Sequence, residues 1–150
     1  MYSRQEVSRI RKNFWTSFGQ YMKPLPGADG EKVNWLNYNT GVKHIYFRMD
    51  ADSTHAAIGI ELAHPDPVQR EKLYGQFLQL KSIFTEIIGE EWRWQKEVAD
   101  EHGKYISHIS TQIDRVNVLN TEDWPTIISF LKPRIILLDK FWHSVKDVFQ

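Results

Sequence analysis

Residues 43–49 alternate between apolar and polar. Ile45, Phe47 and Met49 fall on one side, and His44, Tyr46 and Arg48 on the other. A period of two is the pattern of a strand with one buried face. Asp50-Ala51-Asp52-Ser53 supplies turn chemistry, because short Asp and Ser side chains hydrogen-bond nearby backbone. A second strand is predicted over residues 54–62, with Ala56, Ile58, Ile60 and Leu62 facing one way and His55, Ala57, Gly59 and Glu61 the other. So short a loop predicts antiparallel pairing. Ala57 and Gly59 are small, which predicts either a bulge or a group lying close over that second face. Asp66 and Pro67 suit the N-cap and first position of a helix. Leu73, Phe77, Leu80, Phe84 and Ile87 then recur at helical spacing, and Gly89 suits a left-handed C-cap.

The flanking segments follow the same logic. Ser3-Arg4-Gln5-Glu6 has the spacing of a capping box, and Val7, Ile10, Phe14, Phe18 and Tyr21 continue a helix over residues 4–22. Pro24-Leu25-Pro26-Gly27 stops it. Residues 32–38 are expected to form a short helix. Residues 91–98 alternate again, with Trp92, Trp94 and Lys96 opposite Arg93, Gln95 and Glu97. A turn over residues 99–103 leads to a strand over 104–113, on which Tyr105, Ser107, Ile109, Thr111 and Ile113 share a face. Asn120-Thr121-Glu122-Asp123 opens a helix, and Pro133 is expected to break or kink it before a last helix. The order predicted is α-ββ-α-ββ-α-α: an α+β fold over residues 1–150 as one domain. Two hairpins joined by a long helix would make a four-stranded, mainly antiparallel sheet with helices mainly on one face. The pattern leaves the strand order open.

Composition narrows the function classes. The chain has no cysteine, so neither a disulfide nor a thiolate zinc site is available. No apolar run approaches the ~20 residues of a membrane span, and the charged N-terminus lacks a secretory apolar stretch. A cytoplasmic protein is expected, with no membrane partner. The net charge is zero, whereas phosphate contacts demand a basic surface, so nucleic acid is not indicated as the partner. A local basic run remains at Arg4, Arg9, Arg11, Lys12 and Lys23, against Glu6 alone. A solvated helix face is the expected reading, with a weak phosphate or acidic-partner surface as the alternative.

Phe14-Trp15 with Phe18 and Tyr21, then Trp35, then Gly41-Val42-Lys43-His44, then Trp94 and Trp124, resemble the landmarks of a family of uncharacterised bacterial proteins. It is a domain-of-unknown-function family, found alone or as the C-terminal part of larger proteins, some of them similar to restriction enzymes or other nucleases. The resemblance covers almost the whole chain and implies a fold and a setting. It implies no catalytic residue.

Three groups of residues carry candidate chemistry. A restriction-type nuclease places an acid on one strand and an acid-x-Lys triplet on the next, to hold a divalent metal and activate water. Here Asp50 or Asp52 precedes Glu61-Leu62-Ala63, and alanine stands where the lysine belongs, so Lys43 or Arg48 would have to serve. The second group is the polar face His44, Tyr46, Arg48, His55 and Glu61, where imidazole and carboxylate together could bind a metal or exchange a proton. The third is Trp92, Arg93, Trp94 and Lys96, whose rings either stack on bases or fill the core. No Gly-rich phosphate loop, nucleophile elbow or H-E-x-x-H motif is present, and no cofactor or metal site is implied. The reading is a non-enzymatic interaction module for a protein partner, another copy included, linked to nucleic-acid processing. The alternative is a divalent-metal nuclease with a degenerate site. A small-ligand reading would need a pocket beside Ala57 and Gly59.

Overall fold

The computed structural model describes residues 2–150. Helix α1 (Arg4–Met22) begins as its capping box requires: Ser3 Oγ accepts the Glu6 N–H at 3.2 Å, and the Glu6 carboxylate accepts the Ser3 N–H at 3.4 Å. Phe14, Phe18 and Met22 are its buried positions. Residues 23–44 then run without helix or strand. The short helix expected at 32–38 is absent, because Asn34 Oδ1 takes the Asn37 N–H at 3.1 Å and turns the chain instead. Two indoles fasten this connector: Trp35 Nε1 donates to the Leu25 carbonyl, and Trp142 Nε1 to the Thr40 carbonyl.

The sheet comprises β1 (Ile45–Ala51), β2 (His55–Leu62), β3 (Arg93–Ala99) and β4 (Tyr105–Asp114). It is a single four-stranded sheet in the order β1-β2-β4-β3, with every neighbour antiparallel. One continuous row, Phe47–Ile60–Ile109–Trp94, crosses all four strands on the core face. Rows Met49–Ile58–Thr111 and Ile45–Leu62–Ser107 flank it. The expected faces of β1, β2 and β4 are therefore present. β3 departs from simple alternation: one extra residue between Gln95 and Val98 makes a bulge and carries Val98 to the face of its partner Ile106.

The helices cover the core face. The long helix expected over residues 67–88 is two helices, α2 (Pro67–Gln79) and α3 (Lys81–Ile88). At Leu80, φ −99° and ψ 7° leave the helical region, and its N–H bonds to the Phe77 carbonyl in a tighter turn. Phe77 and Phe84, on either side of the break, are both fully buried. Arg70, Tyr74 and Ile88 are the other buried positions, so the stripe lies one residue later than the expected Leu73 and Ile87. At the C-terminal end the expected pair of helices is one, α4 (Trp124–Val145), running through Pro133. Pro133 and Ser129, the residue whose carbonyl loses its partner, are both exposed, so water can take that bond. Phe14 meets Trp124 edge-on at 5.4 Å and ties α1 to α4. Among the described residues no helix is long and apolar enough to cross a membrane.

Candidate functional site

The register places three rows on the face that the helices leave open. They are Tyr46–Glu61–His108–Gln95, Arg48–Gly59–Ser110–Arg93 and Asp50–Ala57–Gln112. Arg48 joins the first two rows. Its Nε lies 3.5 Å from Glu61 Oε2, and its guanidinium sits 4.4 Å from the centre of the Tyr46 ring. Burial pushes the Glu61 carboxyl above its ordinary range. Arg48 pulls it back, and Asp100 and Glu101 in the β3–β4 turn push it up again. His108 is shifted the other way: burial holds its imidazole below the ordinary value.

Of the five residues expected on the polar face, Tyr46, Arg48 and Glu61 come together and the two histidines do not. His44 precedes β1 with φ 72°, and its ring lies 4.4 Å from that of His64, tilted by 52°. His55 sits at the far end of β2, its Nδ1 3.0 Å from Asp52 Oδ1. Trp92 and Trp94 turn into the core against Phe84, at 5.2 and 5.5 Å. Arg93 points away from them on the open face, and Lys96 pairs with Glu71 at 2.8 Å. The four do not form one aromatic and basic surface. On α1, Arg11 pairs with Asp50 at 3.1 Å, while Arg4, Arg9, Lys12 and Lys23 are exposed.

Asp50, Asp52 and His55 offer ligand atoms within 4.8 Å of one another. Asp52 already accepts the N–H groups of Thr54 and His55, which shapes the β1–β2 turn, and Asp50 is held by Arg11. Glu61 is remote from this group. Asp50 pairs with Ala57, and Glu61 lies four residue steps further along β2, about 13 Å away. The acids required for one metal shell are thus at opposite ends of the hairpin.

At the Glu61 end the open face runs into a cleft of about 650 Å³, between the β2–α2 connection and the β3–β4 turn. Arg48, Glu61, Arg70, Lys104 and Tyr105 are in its wall. Arg70 is 5% exposed, donating to the His64 carbonyl at 2.9 Å and, at 3.4 Å, to Glu97. The sequence reading did not single it out. Its spacing of four and seven from Tyr74 and Phe77 was the available signal.

A second polar group was also missed. Asp139 on α4 is 1% exposed and accepts the Ala28 N–H at 2.7 Å and the Tyr38 hydroxyl. His143, one turn on, lies 3.2 Å from Asp139 through Nδ1 and 3.2 Å from Asp29 through Nε2. Burial and the neighbouring Asp139 raise the Tyr38 hydroxyl pKa strongly. Ala28, Asp29 and Tyr38 of the connector are thus latched to Asp139 and His143 of α4. Asp139 and His143 at i and i+4 within an apolar stripe were the trace of it in the sequence.

Searches among curated proteins and among solved structures find no match to the chain. One family model does match, over residues 10–146, a span that includes Phe14, Trp35, Trp94 and Trp124. Its description is "Domain of unknown function (DUF4268)", and the chain belongs to that family.

Proposed function

We propose that the chain is a non-enzymatic interaction module that binds a partner protein on the open face of its sheet. The observation that carries this reading is the one-sided fold. The helices pack on the core face, and the opposite face presents Tyr46, Arg48, Glu61, His108 and Arg93 in register. Charges of both signs on that face, and zero net charge overall, suit a protein surface better than a phosphate backbone. The resemblance to C-terminal parts of restriction-enzyme-like proteins points to a partner within a nucleic-acid-processing system.

The test is a double charge reversal, Arg48→Glu with Arg93→Glu, against the control Lys12→Glu on α1. Proteins retained by the wild type and the control but lost by the double variant, at unchanged melting temperature, support the reading. Equal retention by all three overturns it. Sedimentation of the same three proteins shows whether the partner is another copy.

A second reading, a divalent-metal enzyme of nuclease type with a degenerate site, draws on the Asp50, Asp52 and His55 group. It requires Mn²⁺ to raise the melting temperature of the wild type and to leave Asp50→Asn unmoved. No Mn²⁺ effect removes it.

A further inference from the structure

We propose that the cleft beside Glu61 is a ligand site for a small organic anion, a carboxylate or phosphate group carried on a flat apolar body. The argument starts from Arg70. A guanidinium has five N–H donors. In this buried arginine only two are used, one on the His64 carbonyl at 2.9 Å and one on Glu97 at 3.4 Å. Three have no protein acceptor among the described residues, and Arg70 is one of the residues that line the cleft. Spare donors of a desolvated guanidinium are the strongest anion anchors a protein offers. The Lys104 side chain, on the opposite wall, has no ion pair among the described residues. Arg48 is the third cation.

The wall sets two carboxylates against these three cations. Asp100 is occupied by the N–H groups of His102 and Lys104, at 2.8 and 2.9 Å, and Glu61 faces Arg48. The α2 N-terminus is not the anchor, since Asp66 already caps the Val68 N–H at 3.0 Å. Beside the exposed imidazole of His102, the rest of the wall is mainly apolar: Pro65, Ile106 and the ring of Tyr105, which is 57% exposed. A cleft of about 650 Å³ with a few convergent polar groups has the size and lining of a small-molecule site. Arg48 and Glu61 belong both to this cleft and to the proposed partner face, whereas Arg70, Lys104 and Tyr105 belong to the cleft alone, so variants at Arg70 and Lys104 separate the two readings.

The test uses phenyl phosphate, benzoate, inorganic phosphate and benzyl alcohol as probes, followed by amide chemical shifts and calorimetry. Phenyl phosphate or benzoate is expected to shift the signals of residues 65–70 and 102–106, and the tighter of the two identifies the head group. Lys104→Ala and Arg70→Met each weaken that probe by at least about tenfold. Should Arg70→Met fail to fold, Lys104→Ala combined with Arg48→Ala decides the matter. Three results overturn the proposal: no shifts at about 10 mM probe, weaker than any specific site needs; benzyl alcohol binding as well as the anions; or inorganic phosphate binding as tightly as phenyl phosphate. Folded variants that bind like the wild type overturn it as well.

Discussion

The imidazole of His108 lies over Gly59. A Cβ added to Gly59 would stand 2.9 Å from His108 Nε2, and 2.8 Å from both the Ile109 carbonyl oxygen and Ser110 Cβ. The smallness of residue 59 is thus explained by its neighbours across β4 and not by a bulge, since β2 pairs with β4 without interruption from His55 to Leu62. Gly59→Ala must push backbone as well as a ring, and is expected to cost about 1–3 kcal/mol. Gly75, in the middle of α2, has nothing within 4 Å of the same added atom. Gly75→Ala is therefore expected to stabilise by about 0.5–1 kcal/mol, through helix propensity and a less flexible unfolded chain. Urea midpoints of the two variants should move in opposite directions.

The Asp139 latch makes a second prediction. Its carboxylate is desolvated, and its partners come from the connector, 101 and 111 residues away in sequence. Asp139→Ala strands the Ala28 N–H and the Tyr38 hydroxyl, and is expected to cost about 3 kcal/mol. Tyr38→Phe removes one donor and is expected to cost roughly 1–3 kcal/mol. The two losses should be strongly non-additive in a double-mutant cycle. Both variants should also be cut by trypsin at Lys32 faster than the wild type. Unchanged cleavage would mean that the indoles of Trp35 and Trp142 hold the connector unaided.

Which parts of this molecule were legible in its sequence depends on the range of the interaction involved. Ser3 with Glu6, and Asp66 with Pro67, act within one helical turn, so the starts of α1 and α2 could be read directly. The alternation in β1 and β2 was equally local. The break at Leu80 was not, because Phe77 and Phe84 on either side of it pack into a core assembled from distant residues. The β3 bulge likewise depends on β4, where Ser107 Oγ donates to the Lys96 carbonyl at 2.6 Å. Arg70 and Asp139 were illegible for a related reason. A charge inside an apolar stripe looks like an imperfection until the groups that neutralise it are folded beside it.

Two carboxylates should give the pH profile of stability opposite slopes. Glu90 is bound by Arg134 at 2.8 and 3.0 Å and by Trp92 Nε1 at 3.0 Å. Burial opposes its ionisation, but these donors outweigh it and hold the carboxyl below its ordinary value of 4.5. Its contribution is present above that value and is lost as pH falls through the lowered one. Glu61 is raised by burial, so its contribution is present below 4.5 and is lost as pH rises through the higher value. Melting temperatures from pH 3 to pH 8 should show a shallower acid limb in Glu90→Gln. In Glu61→Gln the decline that begins above 4.5 should flatten. A parallel displacement of the whole curve in either variant would contradict the assignment.

Pro133 supplies the last prediction. It stands inside α4 without ending it. The missing N–H leaves the Ser129 carbonyl without its helical partner, and the ring crowds that same carbonyl. Nothing in the core requires the proline, since the side chain is exposed and the buried stripe of Ile127, Phe130, Leu131, Ile135 and Leu138 passes along the other side. Pro133→Ala restores the bond and the propensity. A proline in a helix interior costs about 3 kcal/mol, and part of that is already relieved here by water at the exposed carbonyl. The variant is expected to gain roughly 1–2 kcal/mol in urea unfolding, with an unchanged dependence on denaturant. A loss of stability instead would show that the proline sets a bend in α4 on which the packing of Trp142 and Phe141 against Phe77 depends.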